Sequence, residues 1–384
     1  MTQVSVATLR QQFILSDPTS GHNKVWQIEW DEKTGMATVA WGKVGAQLQT
    51  QTRNMSFGEV QGKINEKTGK GYREVQLHHP ATVEAMAVPT VGISSSVTEL
   101  MKFIAMEAGR QINTYSAVPI FELSKDQIVL GRDAITRAHN QGGPRHIDKI
   151  QDYLNIIPTK LPWSRRIDDS DLVAWFASKE PELYAQLDQL EANLTVYQST
   201  KAGNTSLFAG LPVEIEEFSS QDEDYEPLMR LVQWGRRSNI RAYRLKIIPE
   251  RQAWEQETVG KSNMMTLFHG TRSYNLQKIL YGGLKIMPVA ANGSRFGRGL
   301  YFADNVRRSY NYAESQYRKW RCIFVNDVAL GKTFKTPRDL PSHASTAPTG
   351  YDSVHGTNSN SGMDEFVVYR ESQKTTRALL VYEE

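Results

Sequence analysis

Two short stretches in the last third of the sequence hold the residues best suited to chemistry. In 264–271, Leu267 and Phe268 need burial, while His269, Gly270 and Thr271 form a polar hook at the end of a strand. In 296–303 the order is similar: Gly297 and Gly299 let backbone come close to a ligand, and Leu300, Tyr301 and Phe302 then begin a strand or short helix. Together they read as a nucleotide cleft. Gly293, Gly297 and Gly299 fit neither G-x-G-x-x-G nor the P-loop spacing, so a dinucleotide-binding Rossmann unit is disfavoured. Taken singly, each residue has an ordinary reading. A histidine after a strand can be a satisfied loop residue, Tyr301 and Tyr312 can be core aromatics, and Glu365 can be a solvated strand position. Cys322, beside Ile323, Phe324 and Val325, reads as core.

Composition bounds what can position these residues. The 384 residues are enough for two or three domains, and 40% apolar content with 10% aromatic suits globular cores. One cysteine excludes both a disulfide framework and zinc fingers, and implies a reducing compartment. No segment has the roughly 20 apolar residues a bilayer demands, and the first residues lack a secretory pattern, so the expectation is a soluble, non-secreted protein without membrane contact. The net charge of +3 is unevenly spread: residues 81–225 carry −9 and residues 226–384 carry +10. Either these blocks pack together, or the basic one handles a polyanion, or both are solvated surfaces.

The order of elements follows from periodicity. Residues 12–15, 24–30, 36–41 and 47–53 alternate as strands of an antiparallel meander, and Ser56 caps a helix with Phe57, Val60 and Ile64 on one face. Residues 80–96 read as a linker. Beyond them the pattern is helical. Leu100, Phe103, Ile104 and Met106 share a face, and Ser124 caps a helix bearing Ile128, Ile135 and Ala138. Leu154, Ile156 and Ile157 precede Pro158, and Leu183, Leu187, Leu190 and Leu194 follow Pro181 at helical spacing. The acidic 201–225 reads as a loop or linker, 230–234 as helix and 241–249 as strand. Residues 331–362, rich in Pro, Ser, Thr and Asn, read as one long loop.

Trp41-Gly42-Lys43-Val44-Gly45, with the closing Lys70-Gly71-Tyr72, resembles the WGR domain, a nucleic-acid-binding module named for its Trp-Gly-Arg signature. The resemblance implies that Trp41 and Lys43 contact a nucleic-acid terminus, an indole stacking on sugar or base and a cation neutralising phosphate. Lysine in the third position keeps the charge but loses the bidentate fork of arginine. Residues 123–128 and 153–162 resemble the helical regulatory subdomain of the DNA-dependent poly(ADP-ribose) polymerases; an ordinary helical spacer is the alternative.

Residues 268–271, 297–303, 309–312 and 363–369 resemble the catalytic domain of the poly(ADP-ribose) polymerases, in the right order, with the family's His-Tyr-Glu triad at His269, Tyr301 and Glu365. The resemblance implies NAD as substrate and no metal. Gly270 and Ser309 would bond the nicotinamide amide, Thr271 would contact the cofactor, Tyr301 and Tyr312 would sandwich the ring, and His269 would bond the adenosine ribose. Lys285 would meet the adenine or phosphate side, and Arg308 would help place an acceptor. Glu365 would bond the nicotinamide-side ribose, favour an oxocarbenium transition state and orient or deprotonate an acceptor hydroxyl.

The expected whole is a multidomain α+β protein. It comprises a small antiparallel β domain with a helix (WGR, 8–80), a linker (81–96), a helical bundle (97–200), an acidic linker (201–225) and a mixed α+β ADP-ribosyltransferase domain (226–384). The expected activity is poly(ADP-ribosyl) transfer, a glycosyltransferase reaction, to a protein or nucleic-acid acceptor. DNA ends or nicks would stimulate it in a DNA damage response, and the acidic helical domain would hold the basic catalytic domain back. Mono-transfer or NAD glycohydrolysis is the alternative, and an inactive DNA-end scaffold a third. The expected compartment is the cytoplasm or nucleoid of a bacterial or viral system, or a eukaryotic nucleus.

Overall fold

The computed structural model describes residues 8–75, 94–115, 123–141, 146–163, 165–201, 211–232, 239–258, 262–288, 294–315, 320–357 and 364–383. Most of the expected 81–96 linker, residues 202–210, Trp234, Gly293 and Met363 lie outside them. The fold is mixed α+β, as the sequence implies, in two compact units: 1–86 with 111–194, and 87–110 with 195–384. Among the described residues no helix is long and apolar enough to cross a membrane.

In the first unit β1 (Thr8–Asp17), β2 (His22–Asp31), β3 (Met36–Lys43), β4 (Gln49–Asn54) and β5 (Arg73–Val75) form one antiparallel sheet of order β4-β3-β2-β1-β5. Helix α1 (Phe57–Gly69) starts at Ser56, whose hydroxyl and the Glu59 carboxylate form a reciprocal capping box. Val60 and Ile64 bury against Phe13, Trp26 and Ile28. Phe57 instead stays 53% exposed while leaning its ring on Trp30, because the first helical turn overhangs the sheet.

In the second unit α2 (Ser95–Tyr115) contributes Val97, Leu100, Phe103 and Ile104 to the same core as Leu267, Phe324 and Phe366. Met106, expected on that face, is exposed: two residues past Ile104, it has rotated out of the apolar stripe. Back in the first unit, α3 (Lys125–Asn140) starts at the expected Ser124 cap, and α4 (His146–Ile156) and α5 (Asp169–Lys201) follow. α5 runs through Pro181 and carries the expected Leu183, Leu187, Leu190 and Leu194, all buried. Asn155 ties α4 to the sheet: its amide accepts from the Ser16 N–H and donates to the Ser16 carbonyl, satisfying strand backbone beyond the reach of β5.

The rest of the second unit holds two sheets. β6 (Val213–Glu217) precedes α6 (Tyr225–Val232), β7 (Ile240–Ile247) and α7 (Ile248–Glu257). β8 (Met264–Gly270), α8 (Leu276–Gly282), β9 (Leu300–Phe302), α9 (Val306–Tyr310) and β10 (Trp320–Ala329) come next. β11 (Thr333–Thr336), β12 (Ser353–Gly356), β13 (Glu365–Val368) and β14 (Lys374–Glu383) end the chain. The first sheet is antiparallel, β6-β7-β14-β10-β8; the second is β11-β12-β13-β9, with β11 and β12 parallel. Two segments expected to be loops thus contain strands. Val213–Glu217 is an edge strand because Glu214 pairs with Lys246 and Glu216 with Arg244 across β7, so acidic residues suit that edge. Within 331–362, β11 and β12 are short and separated by turn residues, which hides their alternation. Cys322 is buried in β10, as expected.

Candidate active site and nucleic-acid face

The two sheets of the second unit meet at the polar hook. Phe268 in β8 exchanges backbone hydrogen bonds of 2.8 and 2.9 Å with Ala303, just past β9. The next residue, His269, donates its Nδ1–H to the Tyr301 carbonyl at 2.9 Å, which leaves Nε2 as the acceptor nitrogen. Burial pushes the His269 pKa below its ordinary value, the Tyr301 bond opposes this, and the Lys374 charge lowers it further. The ring is therefore held neutral and in one tautomer. Lys374 itself forms a buried ion pair with Glu250, which also accepts from the Thr376 N–H.

Gly270 is required by its neighbour. A Cβ there would sit 1.7 Å from the Ser309 carbonyl oxygen, so α9 can lie against β8 only if residue 270 has no side chain. Gly297, at φ +89°, and Gly299 are explained similarly: a Cβ at 297 would meet the Ala344 carbonyl at 2.3 Å, and one at 299 the Val367 side chain at 2.5 Å. These two glycines let the chain pack closely on the Ala344 loop and on β13.

Tyr301 donates its hydroxyl hydrogen to the Gly297 carbonyl at 2.7 Å and accepts from the Phe296 N–H at 2.9 Å. Burial pushes its pKa up to about 12, so the phenol stays protonated in any ordinary buffer. Tyr301 pairs with Val367 across the β9–β13 ladder, and Glu365 lies two residues before Val367, so Tyr301 and Glu365 share one face of that sheet. Glu365 is 9% exposed. Its Oε1 meets the Arg308 guanidinium of α9 at 2.5 Å, whereas its buried Oε2 has no hydrogen-bond partner among the described residues. An unpartnered buried carboxylate oxygen is costly, and it is poised to accept from a bound hydroxyl.

The remaining residues are distributed around this centre. Ser309 is buried beside Gly270 in α9, and Tyr312 is exposed just beyond, its N–H bonded to the Ser309 carbonyl. Thr271 accepts from the Asn275 amide at 2.8 Å. Lys285 makes a half-exposed ion pair with Glu371, whose other oxygen accepts from the Ile286 N–H. Sequence reasoning missed Tyr369, which donates to the Phe296 carbonyl, and Gly356, where a Cβ would strike the Phe296 ring. Both depend on contacts with Phe296, 60 or more residues away in sequence, for which the sequence carries no periodic signal. Among the described residues no group of three His, Cys, Asp or Glu is placed to hold a metal.

In the first unit, Trp41 and Lys43 continue the α1-covered face of β3 past the end of the helix, and Trp41 is 36% exposed. Lys43 lies directly across from Lys24, and Lys67 of α1 rests over the Trp26 and Tyr72 rings, also within the field of Lys24. Cross-strand like charges are unfavourable unless something anionic offsets them. Lys43 donates to the Trp163 carbonyl at 2.8 Å, a contact that neutralises no charge.

Residues 223–377 match the poly(ADP-ribose) polymerase catalytic domain, and residues 10–78 match the WGR domain. The chain thus carries a match to each of these two domains and is similar to members of the poly(ADP-ribose) polymerase family. Among its relatives, poly [ADP-ribose] polymerase 1 of Gallus gallus is 27% identical over 89% of this chain and 39% of its own length. Protein mono-ADP-ribosyltransferase PARP4 of Mus musculus is 26% identical over 73% of this chain and 15% of its own, and protein mono-ADP-ribosyltransferase PARP3 of Gallus gallus 26% over 62% and 47%. The chain thus spans less than half the length of each of these relatives.

Proposed function

We propose that the protein is an NAD-dependent ADP-ribosyltransferase that forms poly(ADP-ribose) and is stimulated by nucleic-acid ends or breaks. The observation that carries this reading is Glu365: one oxygen fixed by Arg308, the other buried and without a hydrogen-bond partner among the described residues, on the sheet face it shares with Tyr301. That oxygen suits a ribose or acceptor hydroxyl. As the bond from ribose C1′ to the nicotinamide nitrogen breaks, nicotinamide leaves with the bonding pair and positive charge grows on the ribose. Glu365 stabilises that charge and takes the proton of the attacking acceptor hydroxyl. His269, with Nδ1 committed to the Tyr301 carbonyl, offers Nε2 to a hydroxyl of the adenosine ribose and so orients the dinucleotide. Gly270, Thr271, Ser309, Tyr301 and Tyr312 would hold nicotinamide, with Lys285 on the adenine side. Trp41 and Lys43 would meet the nucleic acid. The proposed acceptor is a protein or nucleic acid, and the proposed compartment is wherever that nucleic acid resides: a nucleus in a eukaryote, the nucleoid or cytoplasm otherwise.

Mono-transfer is the second reading, favoured by the names of two relatives, mono-ADP-ribosyltransferases of mouse and chicken. Product size separates the two. Incubation with labelled NAD and nicked duplex DNA should give high-mass labelled product that depends on the DNA. A single low-mass adduct would move the assignment to mono-transfer, and labelled product indifferent to DNA would remove the stimulation.

A further inference from the structure

The segment that joins α4 to α5 lies outside the WGR match yet crosses the exposed end of its sheet. At one side the Ile167 N–H donates to the Pro18 carbonyl, and the Arg166 backbone packs on the Gly21 turn between β1 and β2, 3.6 Å from a Cβ built there. At the other side Lys160 lies over the Gly45 turn, where a Cβ would meet its Cγ at 2.6 Å, and the Trp163 carbonyl holds Lys43. The segment is therefore fixed at both ends to the sheet, and it reaches Lys43 on the face that carries Trp41. The Trp163 ring is held in turn by an edge contact with Trp175, 5.7 Å between centroids.

Arg165 and Arg166 are exposed on this anchored strap, and neither has a carboxylate partner among the described residues. The nearest acids in sequence, Asp168, Asp169 and Asp171, sit at the start of α5, where they complement its dipole. The strap thus adds two cations at the end of the sheet where Lys24 and Lys43 pair across β2 and β3, next to the Trp26–Trp41 pair. Cations beside a stacking ring suit the backbone and last base of a nucleic-acid strand better than an acidic peptide, which offers nothing for the indole to stack on.

Building on the proposed WGR-dependent binding of nucleic-acid ends, we infer that Arg165 and Arg166 are additional phosphate contacts, so that the nucleic-acid face extends beyond the WGR domain onto the α4–α5 strap. The bound strand passes from Trp41 and Lys43 across the strap. These two arginines contribute affinity without sequence preference, as phosphate contacts do.

The test is binding of the full chain to a nicked DNA duplex over a salt series, by fluorescence anisotropy, for wild type, Arg165→Gln/Arg166→Gln, Arg165→Lys/Arg166→Lys and Trp41→Ala. Each lost phosphate contact should lower the slope of log affinity against log salt by about 0.9. The double glutamine variant should therefore lose about 1.8 of slope and about tenfold or more of affinity at low salt, while the double lysine variant keeps both. Unchanged affinity and slope in the glutamine variant, with Trp41→Ala weakened, would overturn the extension and leave WGR binding intact. No duplex binding by wild type would overturn both. Since both side chains are exposed, thermal unfolding of the glutamine variant should match wild type, and a large loss would assign the arginines to the fold instead.

Discussion

The proposed catalytic centre and the nucleic-acid face solve opposite problems. Around Glu365 nearly every polar group is committed: His269 to the Tyr301 carbonyl, Tyr301 to the 296–297 backbone, Arg308 to Glu365. Around Trp41 the indole is exposed and cations stand beside cations. Transition-state stabilisation needs donors and acceptors fixed before the reaction, because reorganisation at that moment costs rate. Attraction of a polyanion needs charge and an open ring, and tolerates loose geometry. The first region should therefore fail abruptly on small changes, and the second by degrees.

The sharpest break is Glu365→Gln. It keeps the shape, removes the charge opposite Arg308, and should lower transfer from NAD by about 10²- to 10⁴-fold. Circular dichroism should show a folded protein with a lowered Tm, because the mostly buried Arg308 guanidinium loses one charged partner. Gly270→Ala comes next. The added methyl collides with the Ser309 carbonyl, so denaturant unfolding should show a loss of about 3 kcal/mol or more, with activity falling as α9 is displaced. On the other face, Trp41→Ala should weaken nicked-duplex binding by about 1–3 kcal/mol and leave Tm nearly unchanged. An equal fall in Tm would mean that the indole serves the fold, and the contrast would collapse.

The smallest effect is titration of His269. The folded protein holds this ring neutral, whereas the unfolded chain takes up a proton near pH 6.5, the ordinary histidine value. Unfolding therefore binds a proton between that pH and the lowered folded pKa, and stability rises with pH across this window and is level above it. His269→Gln should remove its share of that slope, at most about 1.4 kcal/mol per pH unit. An unchanged slope would show that His269 contributes nothing to it.

What the sequence revealed follows the range of the forces involved. The meander, the Ser56 and Ser124 caps, the β8 hook and the Cys322 strand were legible because alternation and capping are local. So was the acidic and basic blocking of charge, which resolves in part into Glu214–Lys246, Glu216–Arg244 and Glu99–Arg241 pairs within the second unit. β11, β12 and the edge strand β6 were hidden, since short strands among turn residues carry little periodicity. The roles of Gly270, Gly297 and Asn155 were hidden for another reason. Each is set by a carbonyl or strand distant in sequence, which no local pattern encodes. The Glu365 oxygen and the strap across Lys43, on which the proposed functions rest, belong to the same class.

The most direct measurement is nicotinamide release from NAD by the wild-type protein and by Glu365→Gln, with nicked DNA present throughout. The account predicts steady release by wild type, accompanied by labelled product, and release at least a hundredfold slower in the variant. Equal rates in the two proteins, or no release by the wild type, would contradict it.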